Sequence, residues 1–147
     1  MVLNIINEDI NKSNEKLKNI LNENNIALNN NSNEINNSII NKELKYDNGR
    51  YVGQVVNGKK EGKGIRYWND GDRYEGDFKN DKSEGKGIYY YKSGNRYEGD
   101  WKNWKREGKG IFYRNNGDRE MGDWKDNKNI GKHVILYKNG EVKTVNY

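Results

Sequence analysis

From residue 44 onward, apolar and glycine positions alternate with polar ones, and the alternation returns every 23 residues. In Tyr74-Glu75-Gly76-Asp77-Phe78 the period is two, so Tyr, Gly and Phe share one face of a short strand and the two acids share the other. The polar stretch 79–84 reads as a turn, and Gly85-Lys86-Gly87-Ile88-Tyr89-Tyr90 as the return strand. Lys92-Ser93-Gly94-Asn95-Arg96 is a second turn leading into the next copy. Each unit is a β-hairpin, and the pattern predicts one elongated, mainly β antiparallel sheet of stacked 23-residue hairpins. The units are a half repeat at 44–50, three near-identical repeats at 51–73, 74–96 and 97–119, a degenerate repeat at 120–140, and a closing strand at 141–147. That makes roughly nine strands, about 40 Å of sheet at about 4.8 Å per strand.

Three glycines per unit fall inside strands, where a missing side chain weakens a sheet unless something lies against the bare backbone. Tyr51, Tyr74 and Tyr97, with Val55, Phe78, Trp101 and Trp124 on the same strands, are placed to lie over them as a ladder of rings. Ile65, Ile88, Ile111 and Val134 form a second ladder, and Tyr67, Tyr90, Tyr113 and Leu136 a third. The return strand is apolar on both parities, so the pattern does not say which face is concave. In the fourth copy Glu120 replaces the tyrosine and His133 replaces the second glycine, as expected of a unit that caps the array.

The first 41 residues differ. Leu3, Ile10 and Leu17 recur every seven residues with Ile6, Ser13 and Ile20 between them, which predicts an amphipathic helix over 1–22. Three readings of it stay open: a cover for the open edge of the sheet, a surface for self-association or partner binding, or a weakly ordered segment. Residues 23–41, rich in asparagine, read as a linker.

Composition narrows the function. The chain has 147 residues and no cysteine, so thiolate metal sites and disulfides are excluded. No run of residues approaches a membrane span, and the first residues lack the form of a signal peptide, so an intracellular, cytoplasmic protein is expected. The first 41 residues carry three lysines against five acids, and the remainder 24 basic against 17 acidic residues, net +7. That excess is modest and the aromatics alternate with glycine as a packing pattern, so no nucleic-acid partner is expected. His133 is the one histidine and no nucleophile motif accompanies it; it reads as a bulky residue closing the last hairpin. No catalytic constellation, cofactor or metal site is expected, and the chain reads as a non-enzyme.

Tyr-x-Gly-x-(Phe/Trp), then Gly-Lys-Gly-Ile-x-Tyr and Gly-Asp-Arg at 23-residue spacing, resembles the MORN (membrane occupation and recognition nexus) repeat over about residues 44–142. The resemblance implies a twisted sheet of hairpins with a groove, acting as a scaffold or interaction module. Such repeats occur in cytoskeletal and membrane-associated scaffolds, and as appendages to lipid kinases and methyltransferases; no kinase or methyltransferase segment is present in these residues. Glu120 and His133 depart from the motif, which weakens any ligand role at the fourth copy.

Two functions follow as expectations. In the first, a protein partner fills an aromatic-lined groove made by those of Tyr51, Tyr74, Tyr97, Phe78, Trp101 and Trp124 that remain exposed. In the second, Lys59, Lys60, Lys82, Lys105, Arg106 and Lys128 form a basic rim along the hairpin tips that reads anionic, phosphoinositide-containing membrane, with Trp104 dipping into the interface. A simpler reading of the rim is a solvated edge, partly neutralised by Glu61, Glu84 and Glu107. Self-association as a homo-oligomer, through a sheet edge or the N-terminal helix, is compatible with either.

Overall fold

A computed structural model describes residues 39–147 and, of the N-terminal segment, Glu15 alone. The helix expected over 1–22 and most of the linker after it lie outside the described residues. The rest forms one ten-stranded antiparallel sheet in strict chain order, not closed on itself. Its strands are β1 (Ile40–Tyr46), β2 (Gly49–Val56), β3 (Lys59–Trp68), β4 (Arg73–Lys79), β5 (Lys82–Tyr90), β6 (Arg96–Lys102), β7 (Lys105–Tyr113), β8 (Arg119–Lys125), β9 (Lys128–Leu136) and β10 (Val142–Asn146). The ten strands are one from the half repeat, two from each of four hairpins and the closing strand, one more than the rough count of nine; β1 also pairs with β2 from Ile40, before the half repeat begins at 44.

Turn chemistry fixes the hairpins. At the tips, Asn57-Gly58, Asn80-Asp81, Asn103-Trp104 and Asp126-Asn127 all have positive φ at both residues. This is the two-residue turn whose twist matches the strands, and Asn, Asp and Gly tolerate it best. Each hairpin also carries a bulge beside its first-strand glycine, between Gly53 and Val55, Gly76 and Phe78, Gly99 and Asp100, and Met121 and Asp123. The amide this frees is taken up by a side chain from the first strand: Gln54 accepts from Lys63 N–H, Asp77 from Lys86 and Asp100 from Lys109, at 2.7–3.2 Å. At the other end, Asp72, Asn95 and Asp118 accept from the amides of Lys92, Asn115 and Lys138 and tie each loop to the next.

The core lies within this single layer. Tyr51, Tyr74 and Tyr97 are fully buried, each flat against the return-strand glycine of its own hairpin. A Cβ at Gly64, Gly87 or Gly110 would fall 2.2–2.4 Å from the ring, so no other residue fits there. Each hydroxyl donates to the carbonyl of the residue three positions on: Gln54 at 2.7 Å, Asp77 at 3.1 Å and Asp100 at 3.4 Å. Phe78 and Trp101 wedge between successive tyrosines and Trp124 packs on Tyr97, all edge-to-face, with ring centres 4.9–5.2 Å apart. Such contacts contribute about 0.5–1.5 kcal/mol each beyond simple burial.

The fourth repeat solves the same problem differently. The imidazole of His133 occupies the place of the absent tyrosine ring: it lies over Gly122, is fully buried, and holds Asp123 O at 2.8 Å through Nε2. Glu120, at the tyrosine position, is also buried and binds Arg114 (2.6 Å), Asn129 (2.6 Å) and the Tyr147 hydroxyl (2.9 Å), with His133 Nδ1 3.2 Å away. Burial raises the Glu120 pKa, but the hydrogen bonds from Arg114 and Tyr147 and the nearby positive charge outweigh it and hold the carboxyl below its usual range.

Two outcomes are expected. Glu120→Tyr and His133→Gly singly destabilise the protein by about 2–4 kcal/mol, because one forces a ring onto His133 and the other strands Glu120 over a void. The double variant restores the tyrosine-on-glycine pair, so urea unfolding shows a favourable coupling of about 1–3 kcal/mol. Because the folded carboxyl of Glu120 titrates below the unfolded value, its contribution is complete above about pH 4.3 and is lost as pH falls through the folded value. Urea midpoints therefore fall on acidification from pH 6 to pH 3, and Glu120→Gln flattens that slope.

Candidate functional site

The two faces of the sheet have different chemistry. On one, Arg50, Tyr67, Arg73, Tyr90, Arg96, Tyr113 and Arg119 face one another in an unbroken cross-strand line. The guanidinium groups of Arg50, Arg73 and Arg96 stack 3.9–4.4 Å from tyrosine centres. A parallel line pairs Lys63 with Asp77, Lys86 with Asp100 and Lys109 with Asp123 at 2.5–3.4 Å. Between them run Ile65, Ile88 and Ile111, with Glu75 and Glu98. Most of this face is therefore engaged with itself.

The other face carries the rings. The six aromatics expected to line a groove are all there, but they are at most 6 % exposed. The expectation of an open surface at Tyr51, Tyr74, Tyr97, Phe78, Trp101 and Trp124 is corrected: a one-layer sheet has no other core to build, so these rings are the core. What remains half-exposed is a second set packed on them: Trp68, Tyr89, Tyr91, Trp104 and Phe112. Trp68 lies 5.4 Å from Tyr89, Tyr89 4.7 Å from Tyr91 and Tyr91 5.9 Å from Phe112, so the set forms a stripe across strands β3 to β7. The Tyr89 hydroxyl donates to Asp72 at 2.6 Å; burial first, then that carboxylate, raises its pKa.

The basic rim is also rearranged. Lys59, Lys82 and Lys128 are exposed, as expected. Lys60 is buried, pairs with Asp81 at 3.2 Å and rests over Tyr46. Arg106 lies over Trp124 at 4.2 Å, and its guanidinium donates to Asn127 O. Lys105 is exposed and ion-paired with Asp126 at 2.7 Å. Trp104 does not project: its indole folds back onto Trp68, Tyr74 and Phe78 at 5.5–5.7 Å.

These positions form matched pairs 21 residues apart, one member roofing the core and the other holding it from the next hairpin tip. Lys60 takes Asp81, Arg106 takes Asn127, and in the middle repeat the small Ser83 leaves room for the Trp104 indole. The backbone amides of Lys60 and Arg106 donate to Asp81 and Asn127, whereas the Trp104 amide donates to Ser83 Oγ. Trp104 adopts φ 64°, where a bulky residue is strained by about 1–2 kcal/mol. Sequence reasoning missed the stripe and these pairs; the signal was the joint departure of Ser83 and Trp104 from the basic-and-polar pair of their neighbours.

Arg66 stands in the same cross-strand ladder as Tyr89 and Phe112, and is 6 % exposed. Burial lowers the pKa of its guanidinium, with the nearby Tyr46 acting the other way.

The three central hairpins can now be assigned. The MORN repeat family model matches residues 51–73, 74–96 and 97–119. The chain carries three consecutive MORN repeats. Their matched boundaries coincide with the three complete Tyr-over-Gly units. A search of curated proteins returned no match to the chain. No helix among the described residues is long and apolar enough to cross a membrane.

If the indole of Trp104 roofs the core, Trp104→Asp destabilises the protein by about 2–4 kcal/mol. Ser83→Lys together with Trp104→Asp, which copies the pair of the first repeat, recovers at least about 1 kcal/mol of that loss in urea unfolding. A solvent-facing indole would give no loss on Trp104→Asp.

Proposed function

We propose that the chain is a non-enzymatic binding scaffold, and that the stripe of Trp68, Tyr89, Tyr91, Trp104 and Phe112 holds an apolar segment of a protein partner. The observation that carries this reading is that these five rings are packed against the core yet half-exposed, with no second layer over them among the described residues. Contiguous, partly wet aromatic surface of this kind is what interaction sites supply, since rings give large contact area at small entropic cost. The MORN repeats support a repeat-based binding module. Successive repeats lie two strands apart, about 9.6 Å, close to the roughly 10.5 Å advance of seven residues in a helix. An amphipathic helix lying across the strands would thus set one apolar residue on each repeat.

A second reading, recognition of anionic membrane, is favoured by one observation. Lys59, Lys82, Lys105 and Lys128 occupy the same tip position in four hairpins and are all exposed. The rim is weaker than its sequence implied, because Lys60, Arg106 and Trp104 are committed to the ring face and Lys105 to Asp126.

A phage-displayed random peptide library panned on the full chain separates the two. Peptides retained through the stripe lose about tenfold or more in affinity with Tyr91→Ala or Phe112→Ala and change little with salt. Retention of phosphatidylserine vesicles that collapses with salt and with Lys59→Glu/Lys82→Glu, with no peptide retained, would replace the first reading by the second.

A further inference from the structure

We infer that the segment held by the stripe carries an acidic side chain, and that Arg66 is the group that receives it. This rests on the stripe reading above and adds to it the chemistry and direction of the occupant.

In the cross-strand ladder the first repeat places Arg66 where the second and third place Tyr89 and Phe112, so a ring is exchanged for a cation on the ring face. The guanidinium is held between two rings, 4.7 Å from the centre of Tyr46 and 5.2 Å from that of Trp68. Nη1 donates to the carbonyls of Arg50 at 3.1 Å and Tyr67 at 2.5 Å, and Nη2 donates to Asn48 Oδ1. All three acceptors are neutral. No carboxylate among the described residues pairs with Arg66, whereas Lys60 and Arg114 beside the rings are neutralised by Asp81 and Glu120; Arg106 over Trp124 also meets a neutral acceptor, Asn127 O, but unlike Arg66 it is not buried. A guanidinium has five N–H donors, and three are used. The Nε donor and one Nη2 hydrogen have no acceptor among the described residues.

A charge taken out of water without a counter-ion is costly, and the cost is recovered when an anion arrives. One guanidinium with two donors left matches a single carboxylate. Lys60, the cation that would suit a phosphate beside it, is already bound to Asp81 and to the Tyr46 hydroxyl at 3.2 Å. The anion is therefore assigned as an aspartate or glutamate side chain. From Arg66 the ladder reaches Tyr89 after two strands and Phe112 after four, about 10 and 19 Å away. On a helix these distances correspond to an acid followed by apolar residues about seven and about thirteen positions away.

The test uses the same peptide selection on the full chain and on Arg66→Tyr, which installs the residue the second repeat carries at this position and so keeps the fold, as circular dichroism and thermal unfolding would verify. The wild type is expected to enrich peptides with an acid about seven residues from an apolar anchor. Changing that acid to its amide should weaken binding to the wild type by about tenfold and leave binding to Arg66→Tyr unchanged. Peptides enriched without an acid, or an acid preference that survives Arg66→Tyr, overturn the assignment of Arg66 while leaving the stripe in place. Retention of no peptide removes the stripe and Arg66 together. Retention of phosphatidylserine vesicles through Arg66 without any acid-dependent peptide binding transfers the site to a lipid headgroup and overturns the inference.

Discussion

Everything in this sheet depends on a tyrosine lying flat on a glycine. A lone sheet normally needs a second layer to bury an apolar face. Here the ring of the first strand covers the bare backbone of the second and its hydroxyl finds a carbonyl on its own strand, so each hairpin encloses its own core. The glycines at 64, 87 and 110 have no freedom to change, because any side chain would occupy the space of the ring. The layer thickness is that of one aromatic ring, which is how a chain with 31 % hydrophobic residues forms an ordered core.

Departures from the repeated phrase show how tight that coupling is. When the tyrosine is lost at Glu120, the glycine is lost as well, and His133 reaches across to fill the space and take the same backbone carbonyl. The lost hydroxyl is replaced by a carboxylate network that includes Arg114, Asn129 and Tyr147. When the roof residue shrinks to Ser83, the facing tip residue becomes Trp104 and accepts backbone strain to cover the same rings. In both cases two positions change together and buried area and hydrogen bonds are retained, as expected where local choices must agree with the whole fold.

The hairpins, the ring ladders and the tyrosine-over-glycine contact were legible in the sequence because period two and the 23-residue repeat assign each residue to a strand and a face. Depth was not. Periodicity places Tyr74 and Tyr89 on strands but cannot say that one lies at 0 % exposure and the other at the surface, because that depends on which ring is laid down first. Pairings between hairpins were also hidden: Lys60 with Asp81 looks like two solvated turn residues until the strands are in register. Trp104 looked like a projecting anchor because an indole in a turn has nothing to touch within its own hairpin; of its contacts, Tyr74 and Phe78 belong to the preceding hairpin and Trp68 to the one before that. The helix expected over 1–22 lies outside the described residues.

The same logic separates structure from function. On the face away from the rings, three lysines meet aspartates and three arginines stack on tyrosines, so the cations of that face are engaged within the sheet. On the ring face Glu120 and Ser83 are departures whose consequences are absorbed by His133 and Trp104. Arg66 is a departure with no such partner among the described residues: the ring is gone, a charge has taken its place, and the described residues around it offer only neutral acceptors. A fold that compensates its other breaks so closely has a reason to leave this one open, and the reason offered by the chemistry is an anion that arrives with the molecule the sheet binds.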